Sequence, residues 1–360
     1  MVKQILSVSD PMIRGNLDYS FLFSLSGAST SYDNFLYAHY GNLCFVNQSS
    51  ATVWDPFDLF PAPRLRKAIQ AGALMAQRFD LWREVEGKNF SIIDFIGEQI
   101  LRGRYCLVTL DEYFLEGKLS YRRVHFIHHQ LAIGIDRAKQ QIALMGYFLQ
   151  GGKDYNVKWI SFKSFVNAFL FKSHLLKRDA GMEIFAVTQY KCIVAFSVNA
   201  NFDYKMDSIM LCSQIKCYLN SICSKNDVLH NKDLSRLKVS FGISTYDVLI
   251  EQLNRMLKSD DAVMMYNLRL LSEHKNFILN RTKYSFLQGF APYDQEILDT
   301  LTAIFQQAKK LRLIFFSGVT PQGNRHEASR GVVSGLLQCR ELEMKCYVRM
   351  LKSIIALHRY

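Results

Sequence analysis

The sequence predicts an α+β protein, and three features carry that reading. From Arg104 to Leu149 the chain reads RYCLVTLDEYFLEGKLSYRRVHFIHHQLAIGIDRAKQQIALMGYFL, with short apolar runs and a hairpin that mark a mixed or antiparallel sheet. From Asp207 onward apolar residues recur at helical spacing instead. Between these regimes the polar run Lys225 to Asp233 (KNDVLHNKD) is the natural boundary, giving a sheet-bearing domain over residues 1–224 and a helical domain over 225–360.

Taken in order, a short strand is expected near Gln4 to Val8, an apolar helical turn from Asp18 to Leu25, and a second helix from Asn34 to Tyr40. Cys44 sits in the apolar run Leu43 to Val46, where a buried structural thiol outweighs a nucleophile. Trp54-Asp55-Pro56 and Pro61-Ala62-Pro63 mark an irregular loop, after which Leu65 to Gln77 resumes helical spacing. Ser91 to Arg102 is an amphipathic helix capped by Ser91. Strands follow at Tyr105 to Leu110, Gln130 to Ile135 and Gln141 to Phe148, with Asp136-Arg137-Ala138-Lys139 turning the hairpin. Tyr155 to Ile160 extends the sheet, and Ser161 with Ser164 caps a helix over Phe165 to Phe171. Glu183 to Gln189 and Cys192 to Val198 are strand-like, and five helices complete the chain: Asp207 to Ile222, Tyr246 to Leu257, Asp261 to Ile278, Tyr293 to Phe315 and Glu327 to Ala356.

Composition bounds the function. A chain of 360 residues that is 49% hydrophobic and 21% charged is globular, with room for one large or two ordinary cores. No apolar run reaches the roughly 20 residues that span a bilayer, and the N-terminus lacks a signal-peptide core, so a cytoplasmic protein with no membrane partner is expected. Eight cysteines without a C-x-x-C pair read as reduced, buried thiols. The net charge is +12, and residues 301–360 hold ten Lys/Arg against three Glu, a surface that would attract an acidic partner or simply be solvated. Nucleic acid fits the pI near 9.2 but finds no recognition motif, so it is not expected as a partner. Oligomeric state is left open, a homo-oligomer being possible.

The densest chemistry lies in the hairpin. Strand alternation puts His129 on a face with Leu131, Ile133 and Ile135, and His128 on a face with Gln130, Ala132 and Gly134, small enough to leave room beside the imidazole. His128 is therefore the candidate base, against the alternative that His125, His128 and His129 are all partly buried edge residues. His125 and His129 share a face but stand about 13 Å apart at strand rise, so no metal site is expected. Asp111 and Glu112 end the preceding strand beside Tyr113. They either serve the site, binding a cationic acceptor or removing a proton, or form plain surface ion pairs with Arg122 and Arg123.

An N-terminal helix, a strand opening with His, the hairpin H-x-x-L-x-I-G-I-D and then Ile160-Ser161-Phe162-Lys163-Ser164-Phe165 entering a helix resemble a papain-like fold. Residues Arg102 to Phe169 with the basic helical tail resemble the butirosin biosynthesis protein H-like family, found beside nonribosomal peptide and polyketide synthases. The resemblance spans the N-terminal half, and the C-terminal half only in general character. It implies an acyltransferase that takes an acyl or peptidyl group from the phosphopantetheine thioester of an acidic carrier protein and passes it to a small amine, with no cofactor held by the chain itself. It further implies a cysteine at the head of the first helix and a histidine on the later strand. His128 fits, six residues before Gly134. The nucleophile departs, because the helix head reads Leu17-Asp18-Tyr19-Ser20. Ser20 stands in for the cysteine or is an ordinary helix-start serine. Asp18, Tyr19, Tyr113 and His129 would line the cleft, and Asp111 or Asp136 would orient the imidazole in place of the usual Asp or Asn. Two routes remain open: a covalent one, and direct aminolysis of the activated thioester with His128 or Glu112 as base. A catalytically silent scaffold that binds carrier or synthase domains is the competing reading.

Overall fold

The alternating apolar residues between Tyr105 and Ser161 pair into a sheet in the computed structural model, which describes residues 3–15, 17–41, 43–47, 68–80, 91–150, 153–169, 192–222, 238–255 and 261–357. The protein is α+β, with an antiparallel sheet and a helical C-terminal region. In chain order the strands are β1 (Lys3–Ile5), β2 (Cys44–Asn47), β3 (Leu74–Asp80), β4 (Tyr105–Asp111), β5 (Ile127–Asp136), β6 (Gln141–Gln150), β7 (Lys153–Ser161), β8 (Cys192–Val198) and β9 (Lys238–Phe241). The helices are α1 (Leu17–Ser24), α2 (Thr30–His39), α3 (Ile92–Leu101), α4 (Ser208–Leu219), α5 (Thr245–Arg255), α6 (Asp261–Leu287), α7 (Gln295–Val319) and α8 (Arg325–Leu357). Residues 162–169 are also helical, and the Ser161 hydroxyl accepts from the Ser164 amide at 3.1 Å, as a cap should.

The chain divides into two compact units. The first comprises Met1–Pro11, Phe21–Ala28 and Ala68–Phe202; the second comprises Met12–Ser20, Ser29–Lys67 and Asp203–Tyr360. The expected boundary loop, Lys225 to Asp233, lies outside the described residues, as do the loop at Trp54 to Pro63 and the strand-like run Glu183 to Gln189.

In the first unit the strands run β3-β8-β4-β5-β6-β7, all neighbours antiparallel, and β1 pairs with the far half of β5. On its other edge β5 passes from β4 to β1 between Ala132 and Gly134, the same point at which its register against β6 shifts. Gly134 is needed at that point: a Cβ would lie 2.9 Å from the Gln4 carbonyl oxygen and 3.2 Å from Ala143 Cβ. The hairpin turn closes where expected, the Asp136 carboxylate accepting from the Lys139 amide at 3.0 Å. Helix α3 begins at its Ser91 cap, with the hydroxyl accepting from Asp94 N at 3.2 Å, and lays Ile92, Ile93, Ile96 and Ile100 on a core built from Val108, Leu110, Ala132, Ile135, Leu144 and Phe148.

One element is corrected. Within the expected Leu65 to Gln77 helix, residues 68–70 are helical but Leu74–Asp80 is a strand, paired with β8 from Leu74↔Val198 to Asp80↔Cys192. Leu-Met-Ala-Gln is a good helix-forming run, and a full ladder of cross-strand pairing outweighs that weak local preference.

The second unit is helical apart from the two-stranded β2-β9 ladder. Its core holds a buried ionic cluster drawn from four helices. Lys275 of α6 lies 2.9 Å from both Glu343 oxygens of α8 and 3.0 Å from the Tyr218 hydroxyl of α4, while Tyr246 of α5 donates to Glu343 at 2.9 Å. Cys106 in the first unit and Cys339 and Cys346 in the second are buried free thiols whose pKa burial pushes up to about 12. Cys44 lies in β2, its side chain outside the described ones. Among the described residues, no helix is long and apolar enough to cross a membrane.

Candidate functional site

Two carboxylates side by side at the end of β4 each meet an imidazole. Asp111 caps the short turn Glu112–Phe114: its Oδ1 accepts from the amides of Tyr113 at 3.0 Å and Phe126 at 3.2 Å, and its Oδ2 lies 2.7 Å from His125 Nδ1. Glu112 donates its own amide to the Phe126 carbonyl at 2.8 Å. Alternation then directs the Glu112 side chain to the other face, where register pairs Leu110 with His128. Glu112 Oε1 receives three donors there: His128 Nδ1 at 3.1 Å, Lys118 Nζ at 3.1 Å and Gln130 Nε2 at 3.1 Å.

The second layer of this cluster is tight. Lys118 Nζ also donates to Gln130 Oε1 at 2.8 Å and sits 4.0 Å from the centre of the Phe148 ring. Gly146 of β6 makes the space, since a Cβ there would lie 2.3 Å from Gln130 Oε1. The His128 ring lies parallel to Tyr147, centroids 6.3 Å apart, and 5.3 Å from Phe126. Its side chain keeps 30% exposure while Glu112 keeps 8% and Lys118 only 1%.

The electrostatics follow from this packing. Burial alone would raise the Glu112 pKa, but the hydrogen bond from His128 and the charge and hydrogen bond of Lys118 outweigh it and hold it below the usual carboxylate range. Burial pushes Lys118 down to about 8, with Glu112 pulling part of the way back. Because ionised Glu112 can only accept, His128 Nδ1 carries the proton in the neutral ring and Nε2 is left as the basic nitrogen.

The structure places the remaining expected residues as follows. His129 is on the opposite face from His128, with Nδ1 2.9 Å from Thr109 Oγ1. Tyr113 stacks on His125 at 4.2 Å. Asp111 and Glu112 are buried, so the surface ion-pair reading with Arg122 and Arg123 is replaced by pairing to His125, His128 and Lys118. The imidazole is oriented by Glu112 and by neither Asp111 nor Asp136, the latter being occupied at the hairpin turn. The face expected to be open beside His128 is filled beyond Gln130, because Ala132 belongs to the apolar core, and His128 stands where that face reaches solvent. In the second unit, Ser20 is fully buried and Tyr19 is buried edge-on to Tyr40, centroids 5.9 Å apart. Asp18 lies in α1, its side chain outside the described ones. Among the described residues, no group of three or more His, Cys, Asp or Glu could hold a metal ion.

No family model and no curated protein matches the chain.

Lys118 and Gln130 are the members that sequence reasoning missed. Gln130 had a signal, sharing a strand face with His128 by parity. Lys118, in the turn sequence Glu116-Gly117-Lys118-Leu119, reads as an ordinary solvent-facing lysine. Chemically, an imidazole backed by a buried ionised carboxylate and open to solvent at its edge can take a proton from an attacking nucleophile and stabilise the imidazolium that results.

Proposed function

We propose that the protein is an acyltransferase with a papain-like sheet-bearing unit, related to the butirosin biosynthesis protein H-like family, which moves an acyl or peptidyl group from a carrier-protein phosphopantetheine thioester to a small amine. The observation that carries this reading is Glu112 Oε1 at 3.1 Å from His128 Nδ1 with the imidazole 30% exposed. In the proposed reaction the amine nitrogen attacks the thioester carbonyl carbon as His128 Nε2 takes its proton. Glu112 stabilises the imidazolium, the C–S bond breaks, and the proton passes to the departing thiolate. A thioester is already activated, so positioning and one base suffice. Complete burial of Ser20 favours this direct route over a covalent one.

Docking of an acidic carrier would fall on α7. Arg325, Arg340, Lys345 and Arg349 are paired with Asp261, Asp247, Glu341 and Asp294. Exposed Lys309 and Lys310 make no ion pair among the described residues and stand beside exposed Leu313 and Phe316, a basic and apolar surface of the kind that steers an acidic partner.

The test is intact-mass spectrometry of acyl-loaded carrier proteins mixed with wild type, His128→Ala and Ser20→Ala, with and without small amines. The reading requires that wild type and Ser20→Ala unload the carrier while His128→Ala does not. Leu17 at the head of α1, where the resemblance asks for cysteine, favours a second reading as a silent scaffold. Carrier that binds but stays loaded across chemically different acyl groups would establish that one.

A further inference from the structure

We propose that Lys118 is a positioning residue for the His128 base: with the Gln130 amide its buried ammonium pins Glu112 Oε1 beside the imidazole and offsets the carboxylate charge there, so that Lys118 sets the pH range over which His128 holds a proton. The role in turnover rests on the reading of His128 as the base; the electrostatic link itself rests on geometry alone.

Three donors converge on one carboxylate oxygen, and one of them is a cation with 1% exposure. Lys118 and His128 each lie 3.1 Å from that oxygen, which puts the two charges within about 6 Å of each other, close enough to couple strongly in a buried setting. A lysine needed only for packing would not require an anion, an amide oxygen and an aromatic face around its ammonium, yet Glu112, Gln130 and Phe148 supply them. The groups facing the cluster from each neighbouring element are few. The turn after β4 contributes Glu112, β5 contributes His128 and Gln130, and β6 contributes Tyr147 and Phe148. From β7, Tyr155 packs edge-on to Tyr147, and Lys158 lies 3.9 Å from Glu116. Lys118 is thus the one cation in contact with Glu112 other than a protonated His128, among the described residues.

The sign follows directly. With Lys118 charged, the Glu112–Lys118 pair presents almost no net charge to the imidazole. Removing that charge leaves a bare carboxylate, which favours imidazolium, so the variant's His128 midpoint is expected above that of the wild type. Lys118 performs the same experiment by itself when it deprotonates, at about pH 8.

The experiment is an NMR titration of the imidazole nitrogens and Cε1–H of His128 in the full chain, wild type against Lys118→Gln, with rate–pH profiles of acyl transfer in parallel. The expected result has two parts. The Lys118→Gln midpoint and the acid limb of its rate profile move up together, and the wild-type His128 signals show a second inflection in mildly alkaline solution that is absent from the variant. An unchanged midpoint in a folded Lys118→Gln overturns the proposal. If that variant does not fold, the wild type decides alone, since absence of the second inflection overturns it equally. Should both titrations behave as expected while no protein unloads a carrier, the electrostatic link stands and the acyltransferase reading is the one that fails.

Discussion

Replacing Glu343 by Gln should cost about 3–5 kcal/mol of stability, because it leaves one buried charge without its counter-charge while barely changing shape. Lys275 keeps 2% exposure and Glu343 none, and the lysine ammonium touches both carboxylate oxygens at 2.9 Å. The carboxylate also accepts from Tyr218 at 3.1 Å and Tyr246 at 2.9 Å, so an amide that offers one acceptor in place of two forfeits part of these bonds as well. The hydroxyls and ammonium come from α4, α5 and α6 against α8, so the loss falls on the packing of four helices at once. Guanidinium unfolding followed by far-ultraviolet circular dichroism measures it. The double variant Lys275→Met/Glu343→Leu should recover most of the loss, since the two together remove the charge pair and put apolar side chains in its place. A loss below about 1 kcal/mol in Glu343→Gln, or a double variant as unstable as the sum of its singles, would mean that the ammonium is solvated and the reasoning wrong.

Gly146→Ala should displace the Gln130 amide, since the new methyl would lie 2.3 Å from its oxygen, and cost about 1–3 kcal/mol in denaturant unfolding as overpacking does. Because no charge changes, its rate–pH profile should fall in height and keep its position, the opposite of Lys118→Gln. Alkaline stability should decline above about pH 10, where unfolded tyrosines ionise. Burial, reinforced by Glu343, holds Tyr218, Tyr246 and Tyr347 protonated to higher pH in the folded state, so there the folded chain binds more protons and stability falls as pH rises. Lys275 acts in the reverse sense below its ordinary value of 10.5, because burial lowers its folded pKa and the unfolded chain binds the extra proton; its contribution therefore rises up to that pH. Denaturant midpoints measured across this range should pass through a maximum near pH 10, and a monotonic rise would refute the assignment.

How much of this was legible depended on the range of the interaction. Period-two alternation gave β4, β5 and β6, and it correctly separated His128 and Gln130 from His129, because a strand's faces are fixed by parity whatever lies beyond it. Caps were legible for the same local reason: Ser91 and Ser161 each accept the amide three residues on. Leu74 to Gln77 reads as helix from its own spacing because the strand preference of Leu74–Asp80 comes from β8, more than a hundred residues away. Which acid orients His128 was beyond local reading too. Asp111 and Glu112 are adjacent and chemically alike, and only the turn at Glu112–Phe114, with the Phe126 backbone pairing to both residues, sends one to His125 and the other to His128. Lys118 illustrates the limit. Nothing in Glu-Gly-Lys-Leu distinguishes a solvated lysine from a buried one, and its burial is decided by Gly146 and Phe148, residues that face it from β6, further along the chain. A site assembled this way is recognised by the charge that packing encloses, which is why its sharpest signature is a titration and not a motif.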